Sequence, residues 1–253
     1  MTQNFKPEAA EAVAVVSPLQ ISTRTCLSIN FIQSAAFFSR ESHRLELCSD
    51  PDKMTPDERS RLWTEHNAFV VGAIISATAF LEAAINELFA ESGDEFQEHL
   101  GELPEEDRKL ISRMWNQGIP RTAKFTIVQK YEVFLSLLNR AEFDRSVEEY
   151  DRIQSLIRLR NALIHYEPEW QTHDASRSQA DLHNLERHLR SRFAINPFTG
   201  GGNPFYPDKC LGHGAAEWAV ESSVVFFDLF VSLTGISSPI DHVRQYLKTT
   251  FGA

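Results

Sequence analysis

Cysteine is nearly absent from this chain: 253 residues contain three, Cys26, Cys48 and Cys210, and no Cys-x-x-Cys pair. Thiols so few and so scattered exclude a disulfide framework and point to a reducing, cytoplasmic setting. Positive charge is also in short supply, with 25 Lys and Arg against 35 Asp and Glu and a formal charge of −10. A field of that sign argues against a protein that coats DNA or an anionic membrane, and leaves room only for a local basic groove. Long apolar runs are missing. The stretch 68–80 is broken by small and polar residues and leads into Glu82, so it reads as too short to span a bilayer. The N-terminus has only Lys6 ahead of two glutamates and a weak apolar run, unlike a signal peptide. No stretch alternates convincingly as a strand, and no repeat is visible. The expectation is an all-α chain with no membrane partner.

What is present is helical periodicity. A mobile arm is expected over 1–17, followed by one helical domain over 18–253 with its core at about 55–170 and C-terminal helices completing the bundle. Leu19, Ile21, Cys26, Ile29, Ile32 and Ala36 recur at three-to-four spacing and predict a helix from Pro18 to Leu47. Thr55-Pro56-Asp57-Glu58 is a capping box with proline at the first helical position, and predicts a long helix from Pro56 to Glu91. Further helices are predicted from Pro104 to Gly118, Arg121 to Asn139, Arg145 to His165, Asp174 to Phe193, Ala215 to Leu233 and Pro239 to Phe251. Gly, Pro and Asn dominate the loop 195–214 between them.

One stretch carries chemistry, Arg158 to Trp170, RLRNALIHYEPEW. Asn161 and His165 are four apart and share a helix face, and Arg158 neighbours Asn161. Arg160 and His165 diverge by roughly 140° on a regular helix and converge only if the arginine wraps round or a second molecule supplies the missing half. Pro168 disfavours helix at Glu167, so His165 falls in the last turn, where the helix dipole favours its protonated form. A histidine titrating near neutrality passes protons both ways. An arginine beside it holds a phosphate and balances growing negative charge. These parts suffice to cut RNA without a metal: a base deprotonates the 2′-hydroxyl, that oxygen attacks phosphorus, and an acid protonates the departing 5′-oxygen. A two-fold dimer would supply two histidines and two arginines.

Arg160-Asn161-Ala162-Leu163-Ile164-His165 resembles the signature of the HEPN superfamily: arginine, a polar residue, and a histidine four to six positions on at the end of an apolar helix. The resemblance covers about residues 55–170. It implies a helical bundle that dimerises and a metal-independent endoribonuclease leaving a 2′,3′-cyclic phosphate, as in toxin–antitoxin, antiviral and RNA-processing systems, with an antitoxin or regulatory protein as a further partner. Carried over, His165 is the acid/base, Arg160 the phosphate-binding cation and Asn161 the orienting residue, while Tyr166 has an aromatic counterpart that stacks or packs. Ser76 to Phe89 resembles the neighbouring helix of such bundles, with Glu82 as an acidic group facing the arginine–histidine pair. The rival is a non-catalytic module of the same type that binds nucleotide, RNA or protein.

Other features read as structural. Cys210 and His213 are spaced like half a zinc site without a second pair, so no metal and no cofactor is expected. Gly200-Gly201-Gly202 lacks the strand and the Lys-Ser/Thr of a phosphate loop and reads as a turn. Ser222 and Ser223 have no nucleophile context. Arg152, Arg158 and Arg160 form a local basic group on the motif helix, extended by Arg177, Arg187, Arg190 and Arg192. Either they guide an RNA backbone or they pair with Glu148, Glu149 and Glu186.

Overall fold

The Thr55 hydroxyl accepts a hydrogen bond from the Glu58 amide, and the Glu58 carboxylate accepts one in return from the Thr55 amide, so the longest helix starts where its capping box places it. This computed structural model describes residues 23–121, 125–166 and 184–252, where every regular element is helical. In chain order these are α1 (Ser28–Cys48), α2 (Pro56–Glu91), α3 (Glu105–Asn116), α4 (Ile127–Leu137), α5 (Glu148–Ile164), α6 (Asn184–Leu189) and α7 (His213–Thr234). Single turns at Pro51–Lys53, Phe205–Lys209 and Asp241–Tyr246 link or follow them. The expected arm over 1–17 lies outside the described residues.

Helix α2 is the axis of the bundle and packs against α1, α7, α5, α3 and α4. The whole of α2, rather than the run 68–80 alone, is long and apolar enough by length and composition to cross a membrane. Its apolar side is packed here against those neighbours, with Val70, Ile74, Phe80, Leu81, Ile85 and Phe89 fully buried. The core between α2, α4 and α7 is aromatic. Phe230 meets Tyr131 at 4.8 Å and Phe134 at 5.4 Å between ring centroids, both edge-to-face. Phe80 meets Phe227 at 5.3 Å, and the buried Tyr131 hydroxyl donates to the Leu81 carbonyl at 2.7 Å. That last bond settles an otherwise orphaned phenol within the core.

Several helix ends differ from expectation for identifiable reasons. α1 begins at Ser28, where Glu87 accepts from the amides of Leu27 and Ser28 and satisfies the first orphan donors; of the predicted stretch before it, 23–27 is not helical and 18–22 lies outside the described residues. α4 begins at Ile127, where Thr126 and Gln129 form a capping box that composition alone concealed. In α5 an Asp144–Ser146 turn delays the start to Glu148. The last predicted helix, 239–251, shortens to the turn Asp241–Tyr246. Of the predicted helix 174–193, Asn184–Leu189 is helical, and 174–183 lies outside the described residues.

The loop 195–214 is held by a buried asparagine. Asn196 donates from its side chain to the Leu211 carbonyl at 3.0 Å, and its carbonyl and carboxamide oxygens close the turn through Thr199 and Phe198. The backbone at Gly214 comes so close that an added Cβ would lie 2.5 Å from the Ala194 carbonyl oxygen and 2.8 Å from its nitrogen. Neither backbone atom can yield cheaply. Gly214→Ala is expected to destabilise the fold by about 1–3 kcal/mol, as overpacking does, read as a lower denaturant midpoint at unchanged slope.

At the start of α7, His213 is buried against α1. Its Nδ1 donates to the Ser39 carbonyl at 3.1 Å, its ring stacks on His43 at 4.3 Å, and its Nε2 faces Glu217 at 3.7 Å. Glu46 accepts from the His213 amide at 2.7 Å and also meets His66 Nε2 at 2.7 Å. Burial, then the neighbouring His43, pushes the His213 imidazole below its ordinary range, with Glu217 and Glu46 opposing. The folded protein therefore refuses a proton that the unfolded chain binds, and stability falls as pH drops through the unfolded histidine range near about 6.5. A melting temperature that declines from pH 7 to 5, with a shallower decline in His213→Asn, is the expected result. Equal slopes in both proteins would remove His213 from the acid response.

Candidate active site

Helix α5 opens with Glu148, Glu149 and Asp151 in its first turn, where acidic groups suit the positive end of the dipole. Ile153, Leu156 and Leu159 are buried, and α5 packs on α7 and α2. The helix stops as the motif implies: Ile164 is its last residue and His165 caps it, with φ −108°, ψ 45° and its amide on the Asn161 carbonyl at 2.8 Å. Pro168, the expected stop signal, lies outside the described residues. The next carbonyl, that of Ala162, accepts from the Tyr206 hydroxyl at 2.9 Å, and the Tyr206 ring lies 6.4 Å from that of Tyr166. A tyrosine from the 195–214 loop thus ties down the open end of the motif helix.

Three motif groups stand exposed on one stripe of α5: Arg158, Asn161 and His165, spaced i, i+3 and i+7. Arg160 points elsewhere but reaches back, donating from Nη1 to the Asn161 side-chain oxygen at 3.0 Å. The structure therefore joins Arg160 and Asn161 directly. Arg160 Nε is buried without an acceptor, and among the described residues no carboxylate pairs with this guanidinium. No side-chain partner of His165 occurs among the described residues, which leaves its ring open to solvent.

Glu82 is placed differently from the expected acidic partner. It receives Lys130 of α4 at 2.8 Å, and the same ammonium meets Asn86 at 3.2 Å. Its ion pair is with that buried lysine, and among the described residues none joins it to Arg160 or His165. Arg152 donates to Ser222 on α7 at 3.1 Å and lies 3.4 Å from Glu221 and 4.0 Å from Glu148, so its charge is compensated within the α5–α7 contact. Ser222 is that acceptor.

The arginines in and around α6 divide. Arg190 pairs with Glu186 at 3.2 Å and Arg192 with Asp151, whereas Arg187 is exposed and Arg177 lies outside the described residues. Arg158 Nη1 sits 3.2 and 3.0 Å from the two ring nitrogens of His188. Burial, then Arg158, holds that imidazole below its ordinary range.

Among the described residues no cluster of three or more His, Cys, Asp or Glu could hold a metal. Cys210 is buried with its thiol pushed well above the ordinary range by that burial, and His213 is occupied by Ser39, His43 and Glu217. The glycine run is a turn, with the Gly200 amide on the Asn203 side chain at 2.9 Å. Sequence reasoning missed His188, Tyr206 and Lys130. His188 and Tyr206 reach α5 from separate elements, Lys130 instead holds Glu82 away from it, and only the aromatics flanked by prolines at 204–207 offered any local signal.

No protein-family model, no curated protein and no solved structure matches this chain.

Proposed function

We propose that the chain is a metal-independent endoribonuclease of the HEPN type, working as a cytoplasmic homodimer on RNA. The observation that carries the reading is the end of α5. An arginine with no carboxylate partner among the described residues is hydrogen-bonded to an asparagine, one turn before an exposed, unencumbered histidine. That arrangement suits phosphate capture by Arg160, orientation by Asn161 and proton transfer by His165. Because Arg160 and His165 leave the helix in different directions, the second imidazole and the second guanidinium are assigned to the partner protomer. Tyr166, exposed beside Tyr206, is assigned to base stacking. Arg158 and Arg152 were both expected on the RNA path; the pairing of Arg152 with Glu221 and Ser222 makes Arg158 the stronger of the two.

The test is incubation of the purified protein with a mixed RNA pool in EDTA. Fragments ending in a 2′,3′-cyclic phosphate and a 5′-hydroxyl are expected. A second reading, RNA binding without cleavage, is favoured by the Glu82–Lys130 pair, which occupies the carboxylate the catalytic set would borrow. It predicts retained RNA that is never cut at any protein excess.

A further inference from the structure

We propose that Arg158 and His188 form a separate phosphate subsite, which holds the nucleic-acid backbone about two helical turns along α5 from His165. The proposal rests on the reading of α5 as the RNA-facing helix. Seven residues of helix separate Arg158 from His165, a rise of roughly 10 Å on the same stripe. α6 packs on α5 and brings His188 to the arginine, with Nη1 3.2 and 3.0 Å from the ring nitrogens.

Charge in this corner is unbalanced in a chain that is otherwise acidic. Two carboxylates of this corner among the described residues are engaged: Asp151 with Arg192, and Glu186 with Arg190. Among the described residues none pairs with Arg158. His188 therefore faces Arg158, Arg187 and Arg192 against, among the described residues, the carboxylate of Asp151. An imidazole so placed stays neutral and can accept from the guanidinium. A phosphate oxygen arriving between them changes the balance. It accepts from the arginine fork and from the imidazole, favours the imidazolium, and so draws a proton onto His188 as it binds. Anion affinity at this corner should rise as pH falls through the histidine range. A plain α5–α6 staple, with Arg158 donating to His188, has no such linkage.

A short single-stranded 2′-deoxy oligonucleotide is the probe, since without a 2′-hydroxyl it binds but is not cut by the proposed chemistry. Adding it to the full chain is expected to move the His188 titration, followed by imidazole NMR signals, to higher pH. Arg158→Ala is expected to lower the steepness of the log affinity against log salt plot by about one ion. His188→Gln, which keeps an acceptor for Arg158, is expected to flatten the pH dependence of binding while leaving the melting temperature in place. An unmoved His188 titration, or an unchanged salt slope in Arg158→Ala, overturns the subsite. The RNA assay reports separately. Cleavage without these signatures keeps the nuclease and removes the subsite, whereas these signatures without cleavage keep the subsite and remove the nuclease.

Discussion

Replacing His165 by alanine is expected to lower RNA cleavage by about 10²–10⁴-fold, the range that a positioned acid or base supplies, while leaving the melting temperature where it was. The structural half of that expectation follows from exposure: the His165 ring has no side-chain partner among the described residues, and only its backbone amide, on the Asn161 carbonyl, belongs to the helix end. Alanine keeps that amide. Arg160→Ala should cost a comparable factor of roughly 10²–10³ through lost stabilisation of the transition-state charge. Arg160→Lys should recover little, because one ammonium cannot both hold Asn161 and grip a phosphate as a fork does. EDTA should leave the wild-type rate intact. Undiminished cleavage by carefully purified His165→Ala would falsify the assignment of this histidine.

Phe230→Ala should be the most damaging single truncation for stability, at about 3–5 kcal/mol for a buried phenylalanine. Phe230 is fully buried, and it stands between Tyr131 and Phe134 of α4 and Phe227 of its own helix. Its removal forfeits buried apolar area, two edge-to-face contacts and the packing that registers α4 against α7. For a chain of this size each kcal/mol lowers the melting temperature by roughly 2–4 °C, so calorimetry resolves the effect easily. Phe230→Leu, which refills most of the volume, should cost distinctly less. A melting temperature within a degree of wild type in Phe230→Ala would mean that the α4–α7 contact relaxes around the gap.

The two substitutions probe opposite ends of the same architecture. α5 carries the motif and rests on α7, which also carries the core aromatics Phe226, Phe227 and Phe230. Loss at Phe230 should lower activity only by unfolding, in parallel with helicity, whereas loss at His165 should leave the helical spectrum intact. Measuring both quantities on both proteins separates the site from its scaffold.

Helix content, the start of α2 and the stop of α5 were legible in the chain itself. They depend on interactions within a few residues: the Thr55–Glu58 box, the three-to-four apolar spacing, and the loss of helical pattern after Ile164. The same locality places Arg158, Asn161 and His165 on one stripe, since helical spacing leaves no choice. What lay beyond local reach was set by tertiary contact. Glu82 pairs with Lys130 across 48 positions, and Tyr206 closes the end of α5 from 44 positions away. Glu87 decides where α1 begins from 59 positions downstream of Ser28, and His188 comes to Arg158 only because α6 packs on α5. Hydrogen bonds and ion pairs act over a few ångströms. The sequence by itself therefore determined which side chains each helix displays, and the packing of one helix on another decided which of those side chains meet.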